Sequence, residues 1–199
     1  MGEAVAGGAK GCDSAVIVTL GTGVGGGIIL NNKIWEGYMS AGGEIGHTVI
    51  SVDGEQCSCG RKGCWEAYSS ATALIRDTKR AIDKNPDSLM CKMAQEAGKV
   101  SGKTAFQASR QGDKAAQEVV DSYIKHLAEG VANICNLLAP KCVLLGGGVS
   151  HEGDNLLIPL REAVKSLVYG GDRVEHARIE LATLGNDAGI IGAAMLGRK

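Results

Sequence analysis

His47, Cys57, Cys59 and Cys64 place three thiols and one imidazole within residues 47–64. That is a complete donor set for a tetrahedral, closed zinc site of the structural kind. Gly60 and Gly63 are interleaved with the cysteines, and glycine takes the positive φ needed to fold so short a loop around one ion. The competing reading leaves the cysteines unligated or partly paired as disulfides, with an iron–sulfur cluster as a further alternative. A cytosolic chain with this spacing favours metal.

The run Ala41-Gly42-Gly43-Glu44-Ile45-Gly46-His47 adds a carboxylate beside the imidazole. Such a pair suits recognition of a polyol: Glu44 accepts hydroxyl protons, and His47 offers its second nitrogen while zinc on the first fixes the ring's tautomer and direction. Glu66 follows the last cysteine by two positions and would be held beside the same site. A glutamate at a helix start also reads as a carboxylate placed against the helix dipole.

Leu20-Gly21-Thr22-Gly23-Val24-Gly25-Gly26-Gly27 joins two expected strands. It therefore differs from the dinucleotide fingerprint, in which a glycine turn leads from a strand into a helix. Its successive N–H groups can form an anion nest, with the Thr22 hydroxyl added; the alternative is a glycine-rich hairpin without a ligand. Gly146, Gly147 and Gly148 follow another expected strand, where ligand crevices of open α/β sheets lie. The alternative there is a tight strand-to-helix turn.

The elements that must position these residues are legible in part. Ala15 to Leu20 and Gly26 to Leu30 read as adjacent strands, Lys33 to Trp35 as a third extended segment, and His47 to Val52 as another. From Glu66 the period becomes helical, with Ala67, Ala71, Leu74, Ile75, Thr78 and Ile82 on one face as far as Pro86. A second helix covers Thr104 to Arg110. The longest starts at the N-cap Asp113 and carries an apolar stripe to Pro140. Lys141 to Leu145 reads as a buried strand, Asn155 to Val168 as a helix with Pro159 near its first turn, and Arg178 to Thr183 as a strand. A last helix runs from about Asp187, read as its N-cap, to Leu196. Strands first, then strand and helix in alternation, predict a mixed sheet flanked by helices in an α/β fold.

The 199 residues suffice for one well-buried core. With 21 Lys plus Arg against 22 Asp plus Glu, the net charge of -1 offers no footprint for nucleic acid or an anionic membrane. No stretch is apolar for the ~18 residues a span needs, and Met1-Gly2-Glu3-Ala4-Val5 lacks signal-peptide features, so a cytoplasmic location is expected. Cys12, Cys91, Cys135 and Cys142 are scattered and read as packing thiols. The 30 glycines gather at a few turns, as backbone that approaches ligands closely does.

Together these motifs resemble the ROK family of bacterial repressors and sugar kinases, over the whole chain. Glu44-x-Gly46-His47 is similar to its sugar-binding signature, and Cys57-x-Cys59-Gly60-x-x-Gly63-Cys64-x-Glu66 to its zinc signature. Leu20 to Gly27 resembles the second phosphate segment, Gly146 to Gly148 the adenosine segment, and Leu184 to Ala194 the closing helix. Within the family the likeness is to glucokinases of Gram-positive bacteria.

The resemblance implies an actin-like ATPase, or ribonuclease H-like, lobe. Glu44, His47 and Glu66 would contact sugar hydroxyls, and His47, Cys57, Cys59 and Cys64 would hold a structural zinc. Gly21, Thr22 and Gly23, with Gly146 to Gly148, would face ATP. It further implies phosphorylation of glucose or a related hexose at the 6-hydroxyl, with ATP and magnesium in the intact enzyme, and a homodimer. The family's N-terminal lobe carries an Asp-x-Gly-Gly-Thr loop and an Asn-Asp-Ala-Asn segment whose Asp is the catalytic base. Neither stands in the matching place here, so residues 1–199 read as the C-terminal lobe, without a catalytic residue and inactive alone. A sugar-sensing module of a family repressor is the alternative function, and a zinc-stapled interaction domain a third.

Overall fold

A computed structural model describes residues 1–196. Its centre is a five-stranded mixed sheet ordered β3-β2-β1-β4-β5. β1 (Ala15–Leu20) and β2 (Val24–Leu30) form a hairpin with Leu20 opposite Val24, and β3 (Lys33–Ile34) continues it through a turn in which Asn31 and Asn32 take positive φ. β4 (Cys142–Gly146) lies parallel to β1, and β5 (Arg178–Leu181) parallel to β4.

Successive residues of a strand point to opposite faces, and the core divides accordingly. Val16, Val18 and Leu20 of β1 join Val143 and Leu145 of β4 in the main cluster. Ala15, Cys142 and Leu144 join Ala9 and Cys12 in a smaller one on the reverse face. Over the main face runs α6 (Lys114–Leu138), which packs on α3 (Ala71–Lys84), α5 (Thr104–Ser109) and α7 (Asp154–Leu167). Its stripe of Ala116, Val120, Tyr123, Ile124, Leu127 and Val131 is buried throughout. The expected N-cap is in place: Asp113 accepts the Ala116 N–H at 2.8 Å. On the reverse face α1 (Gly2–Ala6) packs with α8 (Asp187–Leu196). Glu3, buried at the start of α1, accepts N–H groups from Gly8 and Leu184, both at 2.8 Å.

Several expectations are corrected. Residues 47–52 are not a strand: Ile45–His47 is a 3-10 turn, and Val49 makes only an isolated bridge to Cys64. The helix expected from Glu66 is broken into α2 (Glu66–Ser69) and α3, because Ser70 turns extended and its side chain caps Ala73 N–H at 3.1 Å. α4 (Leu89–Glu96), capped by Ser88, was not anticipated, nor was α1. Asp187 is the first residue of α8 rather than its cap, while Pro159 lies just past the first turn of α7, near where it was expected. No described helix is long and apolar enough to cross a membrane.

Candidate functional site

The loop 47–64 is a compact fold almost without regular structure. Cys57 N–H donates to Arg61 O at 2.8 Å, Gly60 N–H to Cys57 O at 3.1 Å, and Gly63 N–H to Glu55 O at 2.8 Å. Both turns need glycine. Gly60 has φ +91°, and Gly63 has φ +78° with so close an approach that a Cβ would lie 1.7 Å from Ser51 O.

These turns bring the ligand atoms of His47, Cys57, Cys59 and Cys64 within 4.8 Å of one another. Cys59 Sγ and Cys64 Sγ are 3.6 Å apart, and His47 Nδ1 is 3.7 Å from Cys57 Sγ. Zinc–thiolate bonds of about 2.3 Å in a tetrahedron set sulfurs about 3.8 Å apart, so the donor set fits the ion. Its electrostatics agree. Cys64 is fully buried, and its thiol is pushed up to about 12, first by burial and then by the neighbouring Cys59 and Cys57. Exposed Cys59 is held below the usual thiol range, chiefly by a hydrogen bond from the Arg61 backbone. Thiols packed this closely cannot all ionise unaided, whereas a divalent cation stabilises every thiolate at once.

Trp65 fastens the loop to the scaffold. It is fully buried, its Nε1–H donates to His126 O on α6 at 3.1 Å, and a Cβ on Gly130 would lie 2.0 Å from its ring. Tyr68 accepts the Glu55 N–H at 2.7 Å and stacks on His126 with ring centroids 4.5 Å apart.

Glu66 opens α2 but makes no cap on its own helix. Its Oε2 accepts the Val24 N–H and its Oε1 the Ser58 hydroxyl, each at 3.1 Å. His47 and Glu66 both approach the Cys57 sulfur, which is 3.9 Å from Glu66 Oε1. Glu44 is exposed at the head of the 3-10 turn, where its carbonyl accepts His47 N–H at 3.1 Å; its carboxylate has no hydrogen-bond partner among the described residues.

The first glycine turn is closed by one internal bond and braced by two from the head of α3. Gly21 N–H donates to Gly23 O, Gly21 O accepts Ala71 N–H at 2.8 Å, and Thr22 O accepts the Thr72 hydroxyl at 2.8 Å. With Val24 N–H committed to Glu66, only the Thr22 and Gly23 N–H groups of the turn lack a protein acceptor among the described residues, a narrower anion nest than expected. The second turn lies beside it, since Thr19 pairs with Gly146. Gly147, at φ +86°, would put a Cβ 2.6 Å from Leu20 O, and Ser150 Oγ donates to Gly147 O at 2.7 Å.

A cavity of about 380 Å³ opens where turn, loop and α3 meet, with Thr22, Ser58, Glu66, Thr72 and Arg76 in its wall. A slightly larger hollow of about 470 Å³ lies by Lys141 and His176, at the opposite end of β4 from the glycine turns, and holds no comparable cluster. Thr72 and Ser58 were not singled out in the sequence. Their partners lie 50 and 8 positions away, and a lone hydroxyl carries no sign of its acceptor.

Comparison with known proteins gives one consistent result. The profile of the ROK family matches residues 1–199. The glucokinase of Streptomyces coelicolor is 38% identical over 201 residues, which cover 100% of this chain and 63% of that protein. The glucokinase of Thermotoga maritima is 38% identical over 196 residues, covering 98% and 62%. A crystal structure of a ROK family glucokinase from Streptomyces griseus in complex with glucose and AMPPNP superposes with a TM-score of 0.90 at 36% identity, covering 99% of this chain and 64% of that one. The chain thus spans about three-fifths of the length of these relatives, and its glucokinase-like sequence and actin-like lobe make it a member of the ROK family.

Proposed function

We propose that residues 1–199 form the C-terminal lobe of an ATP-dependent hexose kinase that phosphorylates glucose or a close relative at its 6-hydroxyl. The observation that carries this reading is the convergence of His47 and Glu66 on the Cys57 sulfur, next to a glycine turn with two unpaired N–H groups. Zinc held by His47, Cys57, Cys59 and Cys64 would neutralise three thiolates and fix the imidazole. His47 Nε2 is then left to meet a sugar hydroxyl.

Glu66 Oε2 takes the Val24 N–H and Oε1 the Ser58 hydroxyl with Cys57 Sγ nearby, and a carboxylate offers about four acceptor sites, so it can accept sugar hydroxyl protons as well. Glu44, exposed and unpaired, supplies a third polar contact. Thr22 and Gly23 N–H groups, with Gly21 and with Gly146 to Gly148 alongside, receive the nucleotide and its magnesium-bound phosphates. Phosphoryl transfer depends on positioning and charge stabilisation together with a base that orients the hydroxyl. Within these 199 residues no side chain takes the base's role in this reading, and the chain alone does not turn over.

Titration calorimetry with glucose and a non-hydrolysable ATP analogue tests the site. Glucose should bind, and Glu66→Gln should weaken it at least about ten-fold, as expected when a buried or charged hydrogen-bond acceptor is blunted. No glucose binding by a zinc-replete chain would refute the sugar site. Release of ADP by the pure 199-residue chain at rates typical of kinases would refute the assignment of the base elsewhere.

A further inference from the structure

Ser58 lies between two metal ligands, yet neither the metal nor the sugar reading gives it a task. Its hydroxyl donates to Glu66 Oε1 at 3.1 Å, while Oε2 of the same carboxylate accepts Val24 N–H at 3.1 Å. The carboxylate presses closely on the turn: a Cβ at Gly23 would fall 2.3 Å from Oε2. A carboxylate held at one oxygen still swings about its last torsion. Held at both, it keeps a single orientation, and the bond through a charged acceptor is the stronger kind.

We propose that Ser58 is a positioning residue that locks Glu66 onto Val24, so that the metal loop sets the geometry of the glycine turn. The proposal rests on the reading of loop 47–64 as metal-bound and of Glu66 as a sugar contact. Ser58 can play this part because its neighbours Cys57 and Cys59 are both in the donor set, so an ion on their sulfurs fixes the backbone that carries the hydroxyl. Glu66 is then a shared element of two sites. A sugar that engages it favours the braced turn, and an anion seated on Thr22 and Gly23 favours the oriented carboxylate; coupling of this kind is reciprocal.

Residue-resolved hydrogen exchange of the 199-residue chain tests the lock without any activity. In Ser58→Ala, with zinc content confirmed as unchanged, the Val24 amide should exchange roughly three to ten times faster, the loss expected when one ordinary hydrogen bond's worth of support is removed from its acceptor. Ser58→Thr should restore the slow rate, and the Val131 amide within α6 should not change. Glu66→Ala reads the contact from its other end and should speed Val24 at least as much, whether or not Ser58→Ala retains its metal. Unaltered Val24 exchange in Glu66→Ala, or in a zinc-replete Ser58→Ala, overturns the proposal. Glucose affinity should fall in Ser58→Ala by a similar factor and recover in Ser58→Thr. A chain that shows the exchange pattern but binds no glucose would sink the sugar reading and leave the lock standing.

Discussion

The scaffold and the metal loop are held together by different forces. On the main face the sheet and its helices share one continuous apolar cluster, from Val16 and Leu145 in the strands to Leu127 and Leu160 in the helices. Within the loop Ile50 packs on that cluster, but the loop's own cluster is Cys57, Cys64 and Ala67 with Tyr68 against it, and its ladder contacts among the described residues are the isolated bridges Val49–Cys64 and Gln56–Lys62. Burial at about 25 cal/mol per Å² of apolar surface can fold the first region. It has little to act on in the second, where an ion held by the convergent donor atoms would do that work. Residues that specify the scaffold are therefore interchangeable within limits of volume and pattern, whereas those that specify the loop are chemical.

Removing one donor should break this division most severely. Cys64→Ser should abolish zinc binding, and structural zinc contributes about 10–16 kcal/mol of apparent binding energy in small domains. Residues 47–64 should then exchange freely while α6 stays protected; loss of α6 protection as well would show that the scaffold depends on the loop. Trp65→Ala tests the joint between the regions. It removes a fully buried indole and should cost about 3–5 kcal/mol in urea unfolding, with both regions affected.

Gly130→Ala probes the same joint from α6 and should cost about 3 kcal/mol, the upper end for overpacking, because its new Cβ meets the Trp65 ring. Asp113→Ala touches the scaffold alone. It removes the cap of α6 and the acceptor for Ser88 Oγ and Leu89 N–H at the head of α4, so about 2 kcal/mol is expected with zinc content unchanged.

Asp113 also gives the scaffold an acid-sensitive signature. Burial pushes its carboxyl up, but hydrogen bonds from Ala116 N–H, the Ser88 hydroxyl and Leu89 N–H outweigh that and hold it below its ordinary value of 3.8. A folded value below the unfolded one means the stabilisation is complete above the ordinary value and is lost as pH falls through the lowered folded value. Glu3 acts in the same direction: burial raises its carboxyl, and N–H groups of Leu184, Gly8 and Thr183 pull it below its ordinary 4.5. Asp113→Asn should flatten the fall in stability below about pH 4 by lowering the plateau above it, because an amide keeps one acceptor oxygen where the carboxylate uses both, Oδ1 for Ala116 N–H and Oδ2 for Ser88 Oγ and Leu89 N–H. An unchanged acid limb would show that the carboxylate's hydrogen bonds contribute nothing in solution.

The two regions also differ in how much of them could be read from the sequence. β1, β4, α6 and the alternation of the rest were legible because apolar period and cap residues act locally: Asp113 is the cap it was expected to be. The donor set and the positive φ at Gly60 and Gly63 were legible because residue type alone restricts them. What was not legible depends on contacts distant in sequence. Residues 47–52 looked extended, but the partner of Val49 is Cys64 in the loop itself, and the bridge stays isolated. The break at Ser70 hides inside an unbroken apolar stripe, although the pair Ser69-Ser70 was a usable signal. α1 is held by Glu3, whose acceptor oxygens serve Thr183 and Leu184 at the far end of the chain. The tie of Glu66 to Val24 spans 42 positions, so a residue expected either to meet sugar or to face a helix dipole is also a brace for the glycine turn.

The central claim is that a metal ion, rather than a hydrophobic core, orders the loop that presents His47 and Glu66. Hydrogen exchange of the purified chain, before and after a zinc chelator and with bound zinc counted, addresses it directly. One zinc per chain, with chelation opening residues 47–64 and the Val24 amide while α6 stays protected, is the predicted result. A chain that carries no zinc, or one whose loop stays equally protected after the metal is removed, would contradict it.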